Sequence, residues 1–96
     1  MSDRPGEPSL DAVTVRYWAA ARAAAGVPDD RVPVSGTTTL AAVLDSVRAL
    51  HPGRLADVIE VCSVLVGDRP VGTTEPADVA LEPGATVELL PPFAGG

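Results

Sequence analysis

Thr86-Val87-Glu88-Leu89-Leu90-Pro91-Pro92-Phe93-Ala94-Gly95-Gly96, the last stretch of a 96-residue chain, begins as a strand and ends as something that can be neither strand nor helix. Val87 and Leu89 alternate with Thr86 and Glu88 at period two, which predicts a β-strand turning Val87 and Leu89 toward a core. Pro91 and Pro92 lack the N–H that a ladder needs and hold φ near about −65°, which favours a stiff, extended path. Gly95 and Gly96 have no side chain to obstruct a narrow passage, so the end of the chain can be threaded. Residues 91–96 are therefore expected to form a flexible Gly-Gly tail reaching at most about 20 Å, enough to carry a terminal carboxylate into a partner's active site.

An α-carboxyl titrates at about 3.3–3.7, so at neutral pH it is a resonance-stabilised anion and a weak electrophile. Activation by ATP to an acyl-adenylate would let a sulfur or amine nucleophile displace AMP. Pro91-Pro92-Phe93-Ala94-Gly95-Gly96 resembles the tail of the ubiquitin-like sulfur carriers, and its double proline is most similar to the small subunit of molybdopterin synthase, the MoaD branch of the MoaD/ThiS family. The resemblance implies that Gly96 is adenylated by a ubiquitin-activating-like adenylyltransferase, which uses ATP with Mg. A sulfur donor protein then serves its conversion to a thiocarboxylate. The loaded end would enter the large subunit of molybdopterin synthase and pass its sulfur to the pterin precursor of the molybdenum cofactor. Gly95 and Gly96 would lie in the partner's channel with Phe93 at its mouth, and Pro91, Pro92 and Ala94 would complete the partner contacts. The same tail chemistry serves sulfur carriers for thiamine or cysteine biosynthesis, or a protein modifier that joins itself to substrate lysines. A plain interaction domain with a non-covalently docking tail is a further reading.

Working back from the tail, Pro83-Gly84 reads as a turn with Pro at i+1 and Gly at i+2, feeding the final strand. Val61-Cys62-Ser63-Val64-Leu65-Val66, largely apolar and bounded by Gly67-Asp68, has the pattern of a central strand, with a short turn of helix before it over 54–60. Val71 to Thr73 is expected to pair briefly. Leu40, Val43, Leu44, Val47 and Leu50 follow helical spacing after capping threonines, which predicts the main helix, stopping near His51 before Pro52-Gly53. At the other end, Ala12-Val13-Thr14-Val15-Arg16-Tyr17-Trp18 predicts a first strand with Val13, Val15 and Tyr17 inward and Trp18 on the opposite face. Ala19–Ala25 predicts a short helix stopped by Gly26, and 29–34 a second strand, at an edge because Pro33 cannot donate.

Strand, short helix, strand, main helix, further strands and tail make an α+β domain with one main helix on one face of a mixed sheet. The resemblance, which covers about Val13 to Gly96, implies the ubiquitin-like β-grasp. The division expected is a disordered extension over 1–11, a β-grasp domain over 12–90 and the tail over 91–96. Two features depart from the family pattern: residues 1–11, and Gly67-Asp68, where this branch more often carries an asparagine.

Composition narrows the function further. The net charge is −6 with pI near 4.4, and the seven basic residues are all arginine. That balance argues against sequence-independent nucleic-acid binding and suits a partner with a basic docking face. Without lysine the chain cannot be linked to itself through side-chain isopeptide bonds. Cys62, the one cysteine, reads as a small buried apolar residue, and His51, the one histidine, as a surface residue closing the main helix. No phosphate-cradling loop, metal-ligand cluster or nucleophile-base constellation can be placed together, so no self-contained active site and no cofactor bound by this chain are expected. Residues 1–12 lack the apolar segment of a signal peptide and no run approaches membrane-spanning length, so a cytoplasmic location is expected.

Overall fold

The structure, a computed structural model, describes residues 11–92. Period-two alternation acts as the sequence predicts in β1 (Ala12–Tyr17), where Val13, Val15 and Tyr17 are buried. The chain then reverses into α1 (Ala19–Ala25) through Ala19, whose φ of 50° is left-handed and strained for a residue with a Cβ. Gly26, at φ 80°, closes α1 by donating its N–H to the Arg22 carbonyl at 2.8 Å. β2 (Asp29–Pro33) returns antiparallel to β1 with Val32 opposite Val13, and it is an edge strand, as Pro33 requires.

Thr38–Thr39 forms a two-residue strand, β3, before the main helix α2 (Leu40–Leu50). The Thr39 side chain accepts a hydrogen bond from the Ala42 N–H at 3.1 Å and caps that helix. Leu40, Val43, Leu44 and Val47 are buried, but Leu50 is 55% exposed, against the expected stripe. At about 100° per residue, position 51 continues the centre of that stripe, whereas position 50 is rotated to its margin. His51 takes the inward place.

α3 (Arg54–Val61) is longer than the short turn expected, and it absorbs Val61. Leu55 and Ile59, one turn apart, are buried and anchor it against α1, while Val61 is left exposed. Cys62 caps α3, its N–H donating to the Ile59 carbonyl, so the strand β4 (Ser63–Val66) begins one residue after it. β4 is paired on both sides, as a central strand should be, with the two-residue β5 (Arg69–Pro70) beyond the Gly67-Asp68 turn. The ladder after that turn falls on Arg69–Pro70, and of Val71 to Thr73 it is Val71 that reaches β4, its N–H donating to the Val64 carbonyl at 2.9 Å. A 3-10 turn over Pro76–Asp78 leads to β6 (Ala80–Leu81), which pairs with β3 in a small second sheet. Glu82 to Ala85 is the Pro-Gly turn, closed by Ala85 N–H to the Glu82 carbonyl at 3.0 Å with Gly84 at φ 93°.

The final strand β7 (Thr86–Leu90) enters the middle of the sheet, in the order β2-β1-β7-β4-β5, parallel to β1 and antiparallel to β4. Val87 and Leu89 are completely buried against the helices. The mixed sheet with α2 packed on one face is the α+β, ubiquitin-like β-grasp that was expected. Of the expected 1–11 extension, only Asp11 lies within the described residues, its carbonyl accepting from the Val34 N–H at 2.8 Å.

Candidate functional site

The site that the sequence singles out is the tail, and its root is well defined. β7 carries the chain out between β1 and β4, with Leu89 beside Tyr17 and Leu90 beside Ser63. The Trp18 N–H donates to the Leu89 carbonyl at 3.2 Å, after which Pro91 and Pro92 offer no N–H to continue any ladder. Pro91 is half-buried and Pro92 exposed. The other expected site residues, Phe93, Ala94, Gly95 and Gly96, lie outside the described residues.

Alternation along β7 sends Thr86, Glu88 and Leu90 to the sheet face that the helices leave open. On that face the Trp18 indole N–H donates to Glu88 Oε1 at 2.9 Å, and the Arg16 guanidinium carbon lies 5.0 Å from the Trp18 ring centre. Trp18 is 41% exposed, so the sequence reading placed it on the correct face. What that reading missed is its engagement with Arg16 and Glu88. The period-two pattern puts Arg16 and Trp18, the residue just after β1, on one face, but Glu88 is 70 residues from Trp18 in the chain and joins them only through the β1–β7 pairing.

A second polar cluster lies on the helix side of the same end of β1. Tyr17 Oη–H donates to Asp30 Oδ2 at 2.9 Å, and His51 Nε2 contacts the same oxygen. The Tyr17 and His51 rings meet edge to face, their centres 5.9 Å apart. Burial, then the Asp30 hydrogen bond and the charges of Asp30 and Asp29, push the Tyr17 hydroxyl well above its ordinary value. His51 is thus a partly buried link between α2 and β2 rather than the plain surface residue expected.

Cys62 adjoins Ser63, the cross-strand partner of Leu90, so it stands near the tail's root. Burial pushes its thiol up to about 11, which keeps it protonated and weakly nucleophilic at neutral pH. Among the described residues no group of three or more His, Cys, Asp or Glu side chains could hold a metal ion. No helix among them is long and apolar enough to cross a membrane. Two open hollows, of about 480 and 440 Å³, lie along α2, one against the β2–β3 loop and one against β4 and β5. The second has Arg48, Glu60, Cys62 and Ser63 in its lining, with the Cys62 thiol held protonated by burial. What the described arrangement can do chemically is hold a stiff exit for the chain's end.

The family model that matches is that of the ThiS family, over residues 15–96. The chain is similar to the molybdopterin synthase sulfur carrier subunit of Aspergillus niger, with 28% identity over 82 residues that cover 85% of this chain and 91% of the relative. Among solved structures it is similar to SAMP1 from Haloferax volcanii, with a TM-score of 0.75 and 24% identity, covering 88% of this chain and 99% of that one. It is also similar to a chain of the Amycolatopsis orientalis BexX/CysO complex, with a TM-score of 0.66, 27% identity and the same two coverages.

Proposed function

Because this chain belongs to the ThiS family, we propose that it is a sulfur carrier and that the Gly96 carboxylate is the group it loads. The observation that carries the reading is a Pro-Pro-Phe-Ala-Gly-Gly end launched from the middle strand of a β-grasp sheet. A carboxylate oxygen of Gly96 attacks the α-phosphate of ATP, with Mg, on an activating partner, and pyrophosphate leaves. Sulfide-level sulfur from a donor then attacks the acyl carbon, the C–S bond forms as the C–O bond to AMP breaks, and a thiocarboxylate remains. Placement governs the transfer that follows, because orientation of a tethered reactant supplies much of the rate. Gly95 and Gly96 fit a narrow channel, Phe93 anchors at its mouth, and Pro91, Pro92 and Ala94 hold the approach. The catalytic groups belong to the partners; this chain contributes a stable fold and a reactive end.

In finer terms, we assign the chain to molybdopterin synthesis as the small subunit of the synthase, acting in the cytoplasm with an activating enzyme, a sulfur donor and a large subunit. The double proline and the likeness to the Aspergillus niger sulfur carrier subunit support that assignment. A carrier in another sulfur pathway is the second reading, favoured by the likeness to a chain of the BexX/CysO complex. The intact mass of protein purified from its own cells, under conditions that preserve a thiocarboxylate, tests the shared chemistry. An oxygen-to-sulfur increment confined to the last peptide is the expected result. Its absence when ATP, a sulfur source and the activating enzyme are all supplied refutes the carrier reading. Loss of the sulfur on adding the synthase large subunit and the pterin precursor separates the two pathways.

A further inference from the structure

The main sheet has two edges among the described residues: β5, two residues long and ending in Pro70, and β2, five residues long. Tyr17 N–H donates to the Pro28 carbonyl and Val34 N–H to the Asp11 carbonyl, so in this ladder residues 28, 30, 32 and 34 turn their backbone groups toward β1. Asp29, Arg31 and Pro33 turn theirs away from it. The side chains of the same three residues are exposed, on the sheet face opposite the helices. Charge and proline on an edge normally deter pairing, because a foreign strand leaves the charges without partners. One strand answers this row in kind: a second β2, run antiparallel, in the register that sets Asp29 of each copy opposite Arg31 of the other. Both pairs then exchange both backbone hydrogen bonds, and opposite charges meet twice. Among the described residues neither side chain has an ion pair of its own, since Arg16, which faces Asp29 from β1, lies over the Trp18 ring. Asp30 falls on the axis against its copy, but its carboxylate is turned to Tyr17 and His51.

The helix side of this edge is shaped for the same neighbour. Exposed Ala49 and Leu50 and half-buried Ser46, all on α2, line with Val32 and Pro33 a further open hollow of about 380 Å³ over β2. Leu50 is the large apolar residue of α2 that the core leaves out, at 55% exposed. A two-fold that pairs the strands brings a second α2 toward this face from across the axis, and small side chains there let the helices approach. We propose that two copies of this chain associate through β2, antiparallel about a two-fold, with Asp29 of each opposite Arg31 of the other, so that one sheet runs through both. The inference goes beyond the carrier reading and does not depend on it. β7 is parallel to β1 and so antiparallel to β2, which sends the two tail roots out at opposite ends of the joined sheet. Five strand spacings, roughly 24 Å, separate them across it, and both stay open to a partner.

The test is sedimentation velocity of the full chain from about 10 µM to about 1 mM, a range that brackets a small interface with Kd on the order of 100 µM. The wild type is expected to pass from monomer to dimer across it. Asp29→Arg and Arg31→Asp each set like charges opposite one another across the axis, and each is expected to dimerise at least tenfold more weakly. An equimolar mixture of the two is expected to recover association close to that of the wild type, since each supplies the charge that the other lacks. Melting temperatures establish that the variants are folded. Arg31→Asp faces Thr14 within its own sheet rather than a charge, so it remains decisive even where Arg16 destabilises Asp29→Arg. A wild type that stays monomeric throughout overturns the proposal, whether the edge is bare or covered by another segment of the chain. Self-association that Arg31→Asp does not weaken, or a mixture of folded variants that associates no better than either alone, overturns it as well.

Discussion

The absence of lysine makes the alkaline unfolding of this protein unusually simple. Carboxyl groups, histidine and α-amino groups titrate below about pH 8.5 and arginine above about pH 12, so lysine, tyrosine and cysteine normally share the interval between. This chain has one tyrosine, one cysteine and no lysine, and both groups are perturbed by burial. Cys62 is raised from 9.0 to about 11, and Tyr17 is raised well above 10.0 by burial and by its bond to Asp30. Each holds its proton more tightly when folded. The stability they contribute is therefore complete below the ordinary values and is lost as pH rises through them toward the folded values. Linkage gives a loss of about 2 kcal/mol by pH 10 and about 4 kcal/mol by pH 11, a little over half of the latter from Cys62. For a domain of this size that is a fall in melting temperature of roughly 15–30 °C by pH 11. The assay is thermal unfolding by circular dichroism from neutral pH to pH 11, for the wild type, Cys62→Ala, Tyr17→Phe and the double variant. Tyr17→Phe should also lose about 1–2 kcal/mol at neutral pH with the Asp30 hydrogen bond, an offset distinct from the slope. A wild type that is flat to pH 11, or a double variant that retains the wild-type slope, would refute the reasoning.

Leu89→Ala, at a completely buried site in the middle strand, should lower stability by about 2–5 kcal/mol in urea unfolding. A loss below about 1 kcal/mol would mean that β7 is held by its ladder rather than by its core face. Thr39→Ala removes the side-chain cap of α2 and should cost about 1 kcal/mol, which Thr39→Ser should largely restore in the same assay. Adding one residue after Gly96 should abolish sulfur loading while leaving the melting temperature unchanged, because the end no longer fits the activating site. Retained loading would show that the position of the carboxylate is not what the partner reads.

Local patterns were legible and distant partners were not. Val13, Val15 and Tyr17 on β1, Val87 and Leu89 on β7, and the Pro83-Gly84 turn each follow from periods or turn chemistry contained within a few residues. The main helix was legible for the same reason, but its last turn was not. Leu50 is apolar enough to read as core although helical spacing favours position 51, and the partners that hold His51 inward, Asp30 and Tyr17, come from other segments. Val61 and Cys62 look like strand because they are β-branched and small. Leu55 and Ile59, buried against α1, carry the helix past them to Cys62. The two-residue strands β3 and β6 have no period to detect. Asp30 joins Tyr17 and His51, and Glu88 joins Trp18, only after the sheet has brought separate segments together. For the tail, the sequence supplies the motif, while the structure supplies the root from which it leaves.

The strand made last by the ribosome is the one in the middle. β1 with β2, and β4 with β5, can each pair as they emerge, yet the two halves share no ladder until β7 arrives between them. The contact that joins them, Thr14 with Thr86, spans most of the chain and must await closure of that long loop. A truncated or nicked chain would therefore lose the seam of the sheet together with the segment that carries the tail. Completion of the sheet and presentation of the tail thus depend on one segment, and a fault in β7 is felt in both.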